Sequence, residues 1–282
     1  MLIPSFNSPL SVNQLSFLQI FAKSCRHTVI SMLQNSQSGH PGGSLSSMDY
    51  LCLLYAFIIS QTGEDVIISH GHISPAVYSV LAELGYISKS DLIQNFRKFG
   101  SKFEGHITRH VEGIKYGTGP LGIGASVAAG LALAEKLKKS KQKVYALMGD
   151  GEAQEGQIHE VINFVAKYQL NNLILFVDFN QVQLSGSLAE IMPIDIRSMF
   201  EAAQWEIMEI NGHDYWDIWL ALKTTRRDQI KPVVIIGETI MGKGVDFMEE
   251  EGLQYKSTWH GKAPDLIIYG QATKGVWWMP WC

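Results

Sequence analysis

Two apolar runs with a helical span between them constrain this chain more than anything else in it. Residues 144–148 form a short apolar run of buried-strand type that ends in Gly149-Asp150-Gly151. A span follows with Ile158, Val161, Ile162 and Val165 at i, i+3, i+4 and i+7, the apolar stripe of an amphipathic helix. A second apolar run, 173–177, ends in Asp178-Phe179-Asn180. Strand, helix and strand in that order predict two parallel strands, so the acidic turn and the amide both lie at strand carboxyl ends, where open α/β sheets bind ligands. Asp150 and Asn180 are hard oxygen donors. Two such side chains are too few for an all-protein cage, but they suit Mg²⁺ shared with a phosphate-bearing ligand. The glycines let backbone approach a diphosphate, and the next helix offers its positive end. Alone, a Gly-Asp-Gly after a strand is equally compatible with an ordinary left-handed turn and a capping Asp.

The chain has 282 residues, 46% apolar and 18% charged, enough for one large α/β domain or two small ones and unlike a disordered composition. A formal net charge of −4 with scattered Lys and Arg speaks against nucleic-acid binding. The apolar stretch 51–60 is the nearest approach to a membrane span and is far too short. The N-terminus lacks the regions of a signal peptide. Cys25, Cys52 and Cys282 make no disulfide framework, and the first two read as core residues. The expectation is a soluble cytoplasmic protein, with neither membrane nor nucleic acid as partner.

Elsewhere the pattern predicts a helix over 11–34 whose apolar side includes Leu15, Leu18, Ile20, Phe21, Val29, Ile30 and Leu33. A Gly-rich loop, Ser38-Gly39-His40-Pro41-Gly42-Gly43, precedes a second helix over 47–59. A short strand over 65–69 leads into His70-Gly71-His72, with Ser74 as cap and Pro75 opening a helix. Gly105-His106 lies in an irregular stretch, and the glycine-rich 117–124 precedes an Ala-rich helix over 125–138. Lys136 to Lys143 reads as a solvated basic helix end. Further helices are expected over 195–204 and 215–226, the latter with Trp216, Trp219, Leu220 and Leu222 as core. A half-buried strand over 205–210 and a last buried strand over 231–237 complete the set. There are no internal repeats and no linker-like interval, so the reading is one α/β domain with a mostly parallel central sheet and helices on both faces.

Several of these segments together resemble the transketolase family, in that family's order. They are Ser38-Gly39-His40-Pro41-Gly42, Ser69-His70-Gly71-His72, Gly105-His106, Thr118-Gly119-Pro120-Leu121-Gly122, Gly149-Asp150-Gly151 with Glu155-Gly156, Asn180, and Trp259-His260-Gly261-Lys262-Ala263-Pro264. The resemblance spans residues 11 to 264 and implies the diphosphate-binding (PP) domain of a thiamine-diphosphate (ThDP) enzyme. It implies that Asp150, Asn180 and the Val182 carbonyl hold Mg²⁺ (or Ca²⁺ or Mn²⁺). It implies that Gly149, Gly151, Gly119 and Leu121 shape the cofactor cradle, with His72 and His260 near the diphosphate. It assigns His40, His72, His106 and His260 to substrate and proton handling, and places Glu155 in a carboxylate network between active-site halves. His213 matches a structural histidine. Three positions depart from the usual residues: His70, Ile107 and Gln181.

Full-length transketolases carry three domains, and nothing here matches the second, which supplies the pyrimidine-binding half. The resemblance therefore implies the N-terminal subunit of a split transketolase. Its partner would be a separate C-terminal, pyrimidine-domain subunit in an α₂β₂ assembly, and its reaction two-carbon ketol transfer between sugar phosphates. Two alternatives stay open: a specialised ThDP-dependent ketol or acyl transferase acting on another substrate, and a non-catalytic partner subunit. Residues 265–282 form an atypical tail with Trp277, Trp278 and Trp281, either a partner-binding patch or a divergent or frame-altered terminus.

Overall fold

The computed structural model describes residues 8–227, 229–265 and 270. Five parallel strands make the central sheet: β1 (Asp65–Ile68), β2 (Val144–Gly149), β3 (Leu173–Phe179), β6 (Glu206–Asn211) and β7 (Val233–Glu238), in the order β1-β2-β3-β7-β6. Between β3 and β6 the chain makes a small antiparallel hairpin of β4 (Val182–Gln183) and β5 (Gly186–Ser187). The strands are apolar almost throughout because both sheet faces are covered. Alternate residues serve the two faces. Tyr145, Leu147, Ile174, Phe176, Val233 and Ile235 enter one core with the N-terminal helices, and Ala146, Met148, Leu175, Val177, Val234 and Ile236 enter the other with helices Ile123–Leu137 and Gly156–Lys167. Ile68, Leu147, Phe176 and Ile235 stand in one register row. The carboxyl ends of four strands are thereby level, and the turns that follow them converge.

The strand-helix-strand reading of 144–180 is borne out, and most other elements differ from expectation only at their ends. Helix Val12–Ser36 starts at Ser11, which with Gln14 makes a capping box. The Gly-rich loop is shorter than its composition suggests: Pro41–Ser46 is already helical, with Pro at its start and His40 as its N-cap. The expected helix over 47–59 is Met48–Leu54 followed by a π-helical turn, Tyr55–Ile59. Ser74 is not a cap; it opens helix Ser74–Glu83 and donates its hydroxyl to the Gly105 carbonyl at 2.8 Å. Trp216 and Leu220 are not core but 47% and 61% exposed, as is Ile20 at 61%. Helix Tyr215–Thr225 buries Tyr215, Ile218, Trp219 and Leu222, and Trp216 and Leu220, one turn apart, fall on the opposite face.

A buried ion pair ties the N-terminal helix to this framework. Arg26 donates to both Asp49 oxygens at 3.0 and 2.7 Å, and to the carbonyl of Lys243 at 2.9 Å. Tyr215 adds its hydroxyl to Asp49 at 2.7 Å, and His213 bridges Asp49 (2.9 Å) to the Ile240 amide (2.8 Å). Because the Ile240 N–H occupies Nε2, the proton of a neutral His213 belongs on Nδ1. Among the described residues no helix is long and apolar enough to cross a membrane. The tryptophans of the tail lie outside the described residues.

Candidate active site

The turns after β1, β2 and β3 wall a cleft of about 470 Å³ lined by His40, His70, His72, His106 and His260 and by Asp150, Glu152, Asp178 and Asn180. Each histidine comes from a different local device. His40 caps a helix, His72 sits in the 3₁₀ turn Gly71–Ile73 after β1, His106 lies in an irregular loop, and His260 is in the short helix Thr258–Gly261. Their rings meet edge to face or tilted. The His40 ring centroid is 5.3 Å from that of His72, 6.4 Å from His106 and 6.0 Å from His260, and His72 lies 5.4 Å from His260. Close crowding of basic rings away from water disfavours their charged form. Burial first, then His260, Arg97 and His106, bring His40 down to about 4. Burial likewise lowers His72, His106 and His260. At neutral pH the cluster is a set of neutral imidazoles, each able to accept one proton and donate another.

Asp150 caps the turn after β2. One oxygen accepts the Gly151 amide at 2.6 Å and the other accepts the Gln181 amide from the turn after β3. Asn180 accepts the Val182 amide at 3.0 Å through its side-chain oxygen, and its NH₂ donates to Ser46 and Asp178 at 3.2 and 3.3 Å. The amide orientation is thus set by the network, and oxygens of Asp150 and Asn180 share the same end of the cleft. Burial, and behind it the Asp178 charge, push Asp150 up to about 7. Among the described residues four carboxylates line the cleft and no Lys or Arg does. Such a lining favours a cation, and a hard one suits its oxygen donors. Among the described residues no three or more His, Cys, Asp or Glu side chains could hold a metal ion between them.

Gly119, Leu121, Gly149, Gly151, Val182 and Glu155 also line the cleft. Glu155 is exposed at the start of helix Gly156–Lys167 and makes no side-chain cap bond. Two residues that sequence reasoning passed over organise the site from beneath. Glu152 is buried and receives the Ser69 hydroxyl, the Gly122 amide at 2.6 Å and the Gly149 amide at 3.3 Å, joining the ends of β1 and β2 to the Gly-rich loop. Asp178 receives Ser46 at 2.6 Å, Ser47 at 2.8 Å and Thr239, joining β3 to the N-terminal helices and to the turn after β7. The signal for Asp178 was visible, a charged residue at the end of an apolar run; for Glu152 it was only a spacer position inside a motif. His70 is buried behind His72, its Nδ1 3.2 Å from the Leu147 carbonyl and its Nε2 3.4 Å from the Ser47 hydroxyl.

Comparison with known proteins agrees with this geometry. Residues 18–262 match the family model described as transketolase, thiamine diphosphate binding domain. The chain is 34% identical over 272 residues to a subunit of the apulose-4-phosphate transketolase of Phocaeicola vulgatus, covering 93% of this chain and 95% of that protein. It is 35% identical over 221 residues to the 6-deoxy-6-sulfo-D-fructose transketolase subunit SqwG of Clostridium sp., covering 75% and 80%. The crystal structure of transketolase from Campylobacter jejuni superposes with a TM-score of 0.81 at 31% identity, over 93% of this chain but only 43% of that one. With its five-stranded parallel sheet, its histidine-lined cleft and its acid-amide pair at adjacent strand ends, the chain belongs to the transketolase family and carries that family's thiamine-diphosphate-binding domain.

Proposed function

We propose that this chain is the ThDP- and Mg²⁺-binding subunit of a two-subunit transketolase that moves a two-carbon ketol unit from a ketose phosphate to an aldose phosphate. One observation carries the reading: four neutral imidazoles from four separate segments line a single cleft with the Asp150–Asn180 pair. ThDP, when bound, supplies the nucleophilic carbon and the electron sink. This chain's residues do the rest. Asp150, Asn180 and the Val182 carbonyl would hold the metal, whether Mg²⁺, Ca²⁺ or Mn²⁺. Gly149 and Gly151 would give backbone access to the diphosphate, with His72 and His260 as further contacts to the cofactor, and Gly119 and Leu121 would help to shape its cradle. His40, His72, His106 and His260 position sugar hydroxyls and take up and return their protons, which neutral imidazoles do well near pH 7. Glu155, exposed at the cleft edge, faces the partner.

The functional unit is residues 11–264, with 265–282 a separate tail. The partner is a pyrimidine-domain subunit in an α₂β₂ assembly. Supporting this, two relatives matched over 95% and 80% of their own length are named as transketolase subunits. The buried free thiols of Cys25 and Cys52 suit the cytoplasm. A second reading changes only the substrate. The apulose-4-phosphate and sulfofructose transketolase subunits are 34% and 35% identical to this chain, the human transketolase 29%. His70, Ile107 and Gln181 also depart from the usual family residues. The test is to co-purify the chain with the product of a neighbouring reading frame and assay ketol transfer with ThDP and Mg²⁺ on xylulose 5-phosphate, a branched ketose phosphate and a sulfonated ketose. Turnover of the first favours the main reading, and of the others alone the second. No turnover by a complex that binds ThDP sinks both. Asp150→Ala should abolish Mg²⁺-dependent ThDP binding; retention would refute the metal assignment.

A further inference from the structure

Arg97 belongs to none of the motifs, yet it lies between two of them. It follows helix Lys89–Asn95 in a left-handed conformation, φ 57°, that side-chain-bearing residues seldom adopt. Its backbone amide donates to the Phe103 carbonyl at 2.8 Å, which closes the loop and turns the side chain inward. The guanidinium then reaches two separate segments. Nη1 donates to the Ser38 hydroxyl at 2.6 Å, two residues before His40. The rest of the group lies flat against the backbone of Gly105, immediately before His106. A Cβ on Gly105 would stand 2.3 Å from Nε and 2.5 Å from Nη2, so only glycine leaves the guanidinium its place. Its neighbour Phe96 backs the first of these segments, with a ring carbon 3.4 Å from where a Cβ on Gly39 would sit.

We propose that Arg97 is a positioning residue that clamps the His40 and His106 segments together and so sets the two imidazoles facing each other across the mouth of the cleft. The proposal rests on reading the cleft as the ketol-transfer site. Those rings stand 6.4 Å apart at 61°. Electrostatics gives the clamp a second effect. Guanidinium stays charged at any pH a protein survives, and a like charge nearby disfavours protonation. The groups facing His40 are His72, His106, His260 and Arg97; those facing His106 are His40, His72 and Arg97, with exposed Glu104 two residues away. Arg97 alone among the groups facing either ring is permanently cationic. It adds to burial in keeping both histidines neutral.

The experiment is an NMR pH titration of the full chain with ¹³C,¹⁵N-labelled histidine, beside calorimetric ThDP binding in Mg²⁺ with the partner subunit present. In Arg97→Met the proton affinity of both His40 and His106 rises at least about threefold, and His72 does not follow. Arg97→Lys, which keeps a charge on a shorter reach, restores most of the depression. Gly105→Ala displaces the guanidinium without removing it and raises His106 as Arg97→Met does. The clamp is overturned if Arg97→Met and Gly105→Ala both leave His40 and His106 within about 0.2 pH unit of their original midpoints. It is equally overturned if His72 moves as far as they do, the mark of general loosening. Failure of the unaltered complex to bind ThDP counts against the assignment of the cleft instead, while the titration still decides the clamp.

Discussion

Asp178 offers the sharpest test of how the site is built. Its side chain is 1% exposed and accepts four hydrogen bonds, from Ser46, Ser47, Asn180 and Thr239. A hydrogen bond to a charged group is worth roughly 1.5–3 kcal/mol net, so four independent losses would sum to about 6–12 kcal/mol. They are not independent. In Asp178→Ala, Ser46 still has the Gly43 carbonyl at 3.1 Å, Asn180 still has Ser46 at 3.2 Å, and Ser47 has His70 Nε2 at 3.4 Å. Thr239 alone has no second acceptor among the described residues. The cost of burying the carboxylate is also removed. We therefore expect a loss of about 3–5 kcal/mol, which at about 2–4 °C per kcal/mol for a chain of this size lowers Tm by roughly 6–20 °C. Asp178→Asn keeps the shape and one acceptor, so about half that loss is expected. The functional effect is separate. Asn180 loses the carboxylate that orients its amide, and removing such an outer partner costs about 10–100-fold in metal affinity. Scanning calorimetry reads the first effect, and Mg²⁺ titration at saturating ThDP the second, with Asp178→Asn as the better-folded sample. The reasoning fails if Asp178→Ala unfolds within about 1 kcal/mol of the unaltered chain and both variants bind Mg²⁺ within about twofold of it.

Other outcomes follow from the same physics. Asp49→Asn leaves the buried Arg26 charge without its carboxylate and should cost about 3–5 kcal/mol in urea unfolding, whereas replacing Arg26 and Asp49 together by apolar residues should cost less. His70, buried and brought down to about 4, is protonated in the unfolded chain well before it is in the folded one. Its contribution is complete above about pH 6.5 and is lost as pH falls toward 4, so His70 by itself should take away about 2 kcal/mol between pH 7 and pH 5, read as the difference in pH-dependent unfolding between the unaltered chain and His70→Asn. Asp49 is lowered as well, against the opposing effect of burial and mainly by Arg26, but its contribution is lost only under pH 4 or so, outside that window. Gln181 sits at φ 63°. Gln181→Gly should be neutral or stabilising by up to about 0.5 kcal/mol, relief of the left-handed backbone offsetting the more flexible unfolded chain, and Gln181→Val should destabilise by more than about 1 kcal/mol.

The succession of strands and helices along the chain, the parallel sense of the two strands of 144–180 and the acid-amide pair at their ends were legible in the sequence. Each is carried by local periodicity: alternate burial in a strand, every third or fourth residue in a helix, a turn where the apolar run stops. The histidine motifs were legible too, because their glycines and prolines mark loops that no core element would use. What local pattern could not say was where the loops go. His40, His72, His106 and His260 are brought within 5.3–6.4 Å, in the ring pairs that meet, only by the level ends of four strands and the packing of helices on both faces. Trp216 and Leu220 misled for a related reason: a helix's apolar content does not say which of its faces meets the sheet. Glu152 and Arg97 carry no pattern of their own, and Asp178 only its place at the end of an apolar run. Their partners lie far along the chain, Ser69 for Glu152, Ser46 for Asp178 and Ser38 for Arg97. A buried polar group must find a partner wherever folding places one. Periodicity records how much of each residue is buried, whereas a hydrogen bond across the fold depends on two positions at once, and that second position exists only in the folded chain.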